Sequence, residues 1–116
     1  MKGVECELRQ GTLTARVYGE LDHRLASAIR CEIDRKVFEA RPEKLVLDIS
    51  GTDFMDSSGL GLIMGRYRLA MSLGCEFCLT GVNSGAMRLL RMAGLDKTVK
   101  ITKENENEKD IKQYKN

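Results

Sequence analysis

The 116-residue chain holds a single histidine, His23, and a single proline, Pro42. A single histidine counts against a zinc site at Cys75 and Cys78, although their two-residue gap has the spacing of zinc and redox motifs. Hydrolases with a nucleophile elbow place their histidine after the serine, whereas His23 lies well before Ser57 and Ser58. No apolar stretch approaches the roughly 18 residues that cross a bilayer. The opening Met-Lys-Gly-Val-Glu-Cys has no signal-peptide core, so the expectation is a soluble, cytoplasmic protein with no membrane partner. An excess of charge of one sign is also missing. Nineteen basic and 17 acidic residues leave a net +2 and form no basic stripe, which argues against DNA or RNA as a direct partner. The length suits one domain with a real core.

The four cysteines are Cys6, Cys31, Cys75 and Cys78. Cys75 to Thr80 reads as a buried strand, in which positions three apart point to opposite faces, and a thioredoxin-type pair would instead open a helix. All four are expected to be buried structural thiols of a reducing compartment, with no metal and no cofactor.

Val4 to Arg9 and Leu13 to Tyr18 alternate as strands about Gln10-Gly11, a tight-turn pair, so the chain should open with a β-hairpin. After the Glu20–His23 loop, Leu25, Ile29, Ile33 and Val37 recur at every fourth residue, predicting a first helix that Pro42 follows. Leu45 to Ser50 reads as a strand. A second helix runs from the Asp56-Ser57-Ser58 turn to about Leu73, where Gly74 is placed for a left-handed cap. Next come the Cys75 to Thr80 strand, a short helix from Gly85 to Ala93 capped by Asn83-Ser84, and a last strand from Thr98 to Thr102. Strands alternating with helices after a hairpin predict an α/β domain, a mixed sheet with mainly parallel later strands and helices packed on it. The domain is expected to occupy residues 1–102, and the polar 103–116 end to be a charged surface helix or tail.

The chemistry concentrates between Phe54 and Gly61, where two hydroxyls stand between a carboxylate and two glycines at a strand-to-helix turn. Backbone N–H groups are free in the first turn of a helix and favour an anion such as phosphate. Enzyme readings of the turn fail one by one. The elbow is absent, because Met55 precedes Ser57 and Asp56 precedes Ser58 where glycine is needed. Gly59, Gly61 and Gly65 nearly match the dinucleotide fingerprint, but the next strand ends Leu79-Thr80-Gly81 without the ribose-binding acid. A receiver-type phosphoacceptor role for Asp56 needs an acidic, magnesium-binding cluster by the first strand, where Cys6-Glu7-Leu8-Arg9 stands instead. Asp56 is therefore expected to cap the helix. The hydroxyls remain either as inert cap groups or as acceptors of a phosphoryl group from another protein.

Gly19-Glu20-Leu21-Asp22, Met55-Asp56-Ser57-Ser58-Gly59-Leu60-Gly61, Gly65-Arg66-Tyr67, Arg88-Leu89-Leu90 and Met92-Ala93-Gly94-Leu95 follow in an order and at spacings that resemble the anti-sigma factor antagonists of the STAS domain class over nearly the whole chain. The Gly-Glu-Leu-Asp-His and Gly-Arg-Tyr pieces favour the sporulation branch over the general-stress branch. The resemblance implies a single STAS-type domain without enzymatic activity, which binds an anti-sigma factor serine kinase when unphosphorylated and so frees a sigma factor. It also implies a protein serine phosphatase as second partner, and maps the phosphoacceptor to Ser57. Beside it stand a general-stress antagonist and, from another class, a small nucleotide- or anion-binding module.

The partner surface is expected at Glu20, Asp22, Asp56, Ser58, Gly59, Gly61 and Leu62. If Leu60, Ile63, Met64 and Tyr67 face the core, Leu62 and Leu69 fall on the far side of the second helix. Leu62 then becomes the apolar centre of the docking patch, and Asp22 supplies charge at its rim.

Overall fold

The computed structural model describes residues 3–102. Strands β1 (Gly3–Arg9) and β2 (Thr12–Tyr18) form the expected hairpin. Its turn places Gln10 at φ 50° and Gly11 at φ 81°, the paired positive angles that match the twist of a two-residue hairpin. Helix α1 (His23–Ala40) buries Ala26, Ile29, Ile33 and Val37. It ends at Arg41, which adopts the left-handed conformation at φ 48° just before Pro42.

Strand β3 (Lys44–Gly51) leads into α2 (Ser57–Ser72), β4 (Glu76–Thr80) and α3 (Ser84–Met92). Gly74, at φ 70°, turns the chain from α2 towards β4. The sheet order is β1-β2-β3-β4, with β1 and β2 antiparallel and β2, β3 and β4 parallel. Leu13, Ala15 and Val17 of β2 and Leu45, Leu47 and Ile49 of β3 point to one face, where they join the helices in the core. The opposite face is laced with ion pairs, Arg16 to Glu7 (3.2 Å) and to Asp48 (3.8 Å), as befits a solvated surface.

Three expectations need correction. The last strand, Thr98 to Thr102, reduces to one parallel bridge between Leu79 and Ile101, because a 3-10 turn at Leu95–Lys97 takes up the preceding chain. Cys75 and Cys78 are buried, but Cys6 is half-buried and Cys31 is exposed. Cys31 lies two residues from both Ile29 and Ile33, which carries it to the solvent side of α1. Finally, Leu62 belongs to the core, at 3% exposure, whereas Leu60 and Tyr67 only pack against it. The 103–116 end lies outside the described residues.

Candidate functional site

Because β2, β3 and β4 run parallel, their carboxyl ends open on one side of the sheet, and each leads into a capped helix. Asp22 Oδ1 accepts from the Leu25 N–H (2.9 Å), Asp56 Oδ1 from the Ser58 N–H (2.8 Å), and Asn83 Oδ1 from the Ala86 N–H (2.8 Å). Short polar side chains at these positions take up first-turn donors that no helix bond can satisfy. The expected capping role of Asp56 is thus present, and Asp22 fills the same role in α1.

The first two caps are fastened together. The Gly19 N–H donates to the Gly51 carbonyl (3.2 Å), Leu21 N–H to Phe54 O (2.8 Å), and Asp56 N–H to Leu21 O (3.4 Å). Leu21 and Met55 thereby form a parallel bridge, both side chains buried beneath it. The positive ends of two helix dipoles consequently stand side by side.

Ser57 is the first residue of α2 and is exposed, while Ser58 is half-buried. With Asp56 serving as the cap, the Ser57 hydroxyl projects at the helix start without carrying the turn. Glu20, Asp22 and Gly61 are exposed around it, and a Cβ placed on Gly61 would meet nothing within 4 Å. Gly59 and Leu62 are not part of this surface. Gly59 is buried with the Met55 side chain lying where its Cβ would be. Leu62 presents its side chain to the core because α2 is apolar around much of its circumference, and its phase is set by the packing of Gly59 on Met55 rather than by the stripe through Leu60 and Tyr67. Only the edge of Leu62 reaches the groove between α1 and α2.

That groove contains residues the sequence reading missed. His23, Ser27 and Arg30 of α1 line it opposite Ser58 and Gly61 of α2, and His23 and Arg24 also border a shallow depression with Glu20 and Asp22. The surface around Ser57 is therefore of mixed charge, not simply acidic. The spacing of His23, Ser27 and Arg30, at four and then three residues, was the available signal for one face of α1.

Two turns along α2, the guanidinium of Arg66 is 6% exposed and pairs through Nε with Asp34 of α1 at 2.8 Å. The contact is an ion pair whose angle falls short of a hydrogen bond, and Nη1 has no partner among the described residues. Burial pulls the Arg66 pKa below its usual range while Asp34 opposes that shift. No group of three or more histidine, cysteine, aspartate or glutamate side chains that could hold a metal occurs among the described residues.

Comparison with known proteins agrees with this architecture. The family model described as the STAS domain matches residues 4–108. The anti-sigma F factor antagonist of Paenibacillus polymyxa is 41% identical over 98 residues, which cover 84% of each chain. Among solved structures, the anti-sigma factor antagonist SpoIIAA in its unphosphorylated form is similar with a TM-score of 0.78, at 24% identity over 98% of each chain. The Bacillus cell fate determinant SpoIIAA in the phosphorylated form follows with a TM-score of 0.73, at 25% identity over 95% of this chain and 98% of that one. A mixed sheet carrying helices whose capped starts gather at one end, together with these matches, means that the chain belongs to the STAS domain family.

Proposed function

We propose that this protein is an anti-sigma factor antagonist that binds an anti-sigma factor serine kinase while unphosphorylated and so releases a sporulation sigma factor. Phosphorylation of Ser57 switches it off, and a protein serine phosphatase restores it. The protein acts as a binding partner and substrate, not as a catalyst. The observation that carries this reading is the exposed Ser57 at the first position of α2, its cap supplied by Asp56. The identity to an anti-sigma F factor antagonist favours the sporulation pathway over a general-stress one, which would use the same switch with another sigma factor.

A phosphoryl group on Ser57 adds about −1.5 to −2 charges and three strong acceptor oxygens. Within the domain, the free N–H groups and the dipole of α2 offset much of that charge. On docking, the dianion would be buried beside Glu20, Asp22 and Asp56 of its own surface, where loss of water strengthens their mutual repulsion, and its bulk has no room. The fold survives and the complex does not.

The test is incubation of the full chain with the cognate anti-sigma factor kinase and ATP, followed by mass spectrometry. A single phosphate on Ser57, absent in Ser57→Ala, is expected, with kinase binding lost in the phosphorylated form. A phosphate on Ser58 in place of Ser57, or undiminished labelling of Ser57→Ala, overturns the assignment. A circular dichroism spectrum reshaped by phosphorylation would contradict the electrostatic switch.

A further inference from the structure

We propose that the cavity between the β3–α2 segment and the start of α3 binds a small neutral molecule with a ring or branched apolar body and one hydroxyl or carbonyl oxygen. The cavity measures about 140 Å³ and has Ile49, Met55, Ala86 and Leu89 as apolar walls. Its size is near that of an engineered cavity of about 150 Å³ that stays dry and binds benzene. A single ring fits, with one edge towards the opening at the exposed Asp53 and Phe54.

The polar lining sets the chemistry. Thr52 borders the cavity and is 5% exposed; its Oγ1 lies beneath the wall, closed off from the free space, and has no hydrogen-bond partner among the described residues. An unpaired buried hydroxyl is costly, and turning the Thr52 side chain towards a bound oxygen would relieve it. Gly85, in the first turn of α3, also lines the space, and N–H groups of a first turn are free to donate. Asn83 closes the wall by donating through Nδ2 to the Thr52 carbonyl at 3.4 Å. Asp53 sits at the mouth of the same cavity, and its carboxylate counters the pull of the α3 N-terminus on an anion, which favours a neutral ligand. Met55 is a wall shared with the bridge that fastens the Ser57 turn, but the polar groups of the site, at Thr52, Asn83 and Gly85, take no part in that switch, and the proposal stands or falls independently of it.

Phenol, benzene and benzoate serve as probes in ¹H–¹⁵N NMR titrations of the full chain. Phenol is expected to give saturable shifts at the Thr52, Asn83 and Gly85 amides, and Ala86→Leu, which fills the cavity, is expected to abolish them. Thr52→Val keeps the side-chain shape and decides the matter should Ala86→Leu fail to fold. It is expected to weaken phenol by about fivefold, the worth of one neutral hydrogen bond, and to leave benzene unchanged. Absence of saturable shifts, undiminished phenol binding in either variant, or benzoate binding as tightly as phenol overturns the proposal. The first of these is also the result expected if ordered water simply fills the space.

Discussion

Leu21 and Met55 pair across two loops in a parallel bridge, so that Asp22 and Asp56, each one residue further on, cap adjacent helices. The phosphoacceptor candidate Ser57 is thus held by backbone bonds from a different crossover, not only by its own helix. Substitutions at the two caps should therefore act on the same small region.

Asp56→Ala is expected to cost about 0.5–2 kcal/mol of stability, as is Asp22→Ala. The caps meet through the Leu21–Met55 bridge, so the double variant should lose measurably more or less than the sum. Urea unfolding of the four proteins checks this.

Two glycines on α2 should respond in opposite directions. Gly59→Ala forces a methyl group into the Met55 side chain, an overpacking expected to cost about 1–3 kcal/mol. Gly61→Ala enters open space within a helix and should stabilise by about 0.5–1 kcal/mol. Thermal melts distinguish the two directly. Kinase binding by the Gly61 variant then reports whether that bare stretch of helix is covered in a complex.

Leu62→Ala is expected to destabilise by about 2–5 kcal/mol through the cavity it leaves. A domain of this size loses roughly 4–8 °C in Tm per kcal/mol, so the change is large in a melting curve. An unchanged Tm would return Leu62 to the surface.

The thiols predict both a reactivity order and a pH dependence. Cys31 should react first with a disulfide reagent, Cys6 more slowly, and Cys75 and Cys78 only on unfolding. Burial, assisted by Glu32 for Cys6 and by Glu76 for Cys75, pushes these two thiols above their ordinary pKa. The fold therefore holds their protons more tightly than the unfolded chain does. Their contribution is fully present below about pH 8.5, where unfolded thiols begin to ionise, and is lost as pH rises through the folded values. Urea midpoints should fall from pH 8 to pH 10, and by less in a Cys6→Ala/Cys75→Ala double variant.

The four strands β1 to β4, the first helix and the caps at Asp56 and Asn83 were legible because each follows from a local pattern. Gln10-Gly11 specifies a hairpin turn, Ile29, Ile33 and Val37 specify a buried stripe, and Asn83 specifies a cap. The phase of α2 was not legible. Leu60, Leu62, Ile63, Met64, Tyr67 and Leu69 offer two apolar seams, and the choice between them rests on Met55 occupying the space above Gly59. Arg66 was equally hidden, since its partner Asp34 belongs to another helix. The strand expected at Thr98 to Thr102 shrank to one bridge at Leu79, because the 3-10 turn at Leu95–Lys97, which β propensity does not reveal, takes up the chain before it. Ser57 at a helix start and Asp56 as its cap were both legible from sequence, and the Ser58 N–H to Asp56 Oδ1 bond agrees with them.

The strand order follows the order of the chain, each strand lying beside the one made before it. A ribosome releasing this polypeptide can accordingly build the sheet from one edge to the other, with no strand waiting for a later one to be inserted between its neighbours. Leu21 is synthesised before Phe54 and Asp56, which bond to it, so the loop bearing Ser57 closes only when the chain has reached its second crossover.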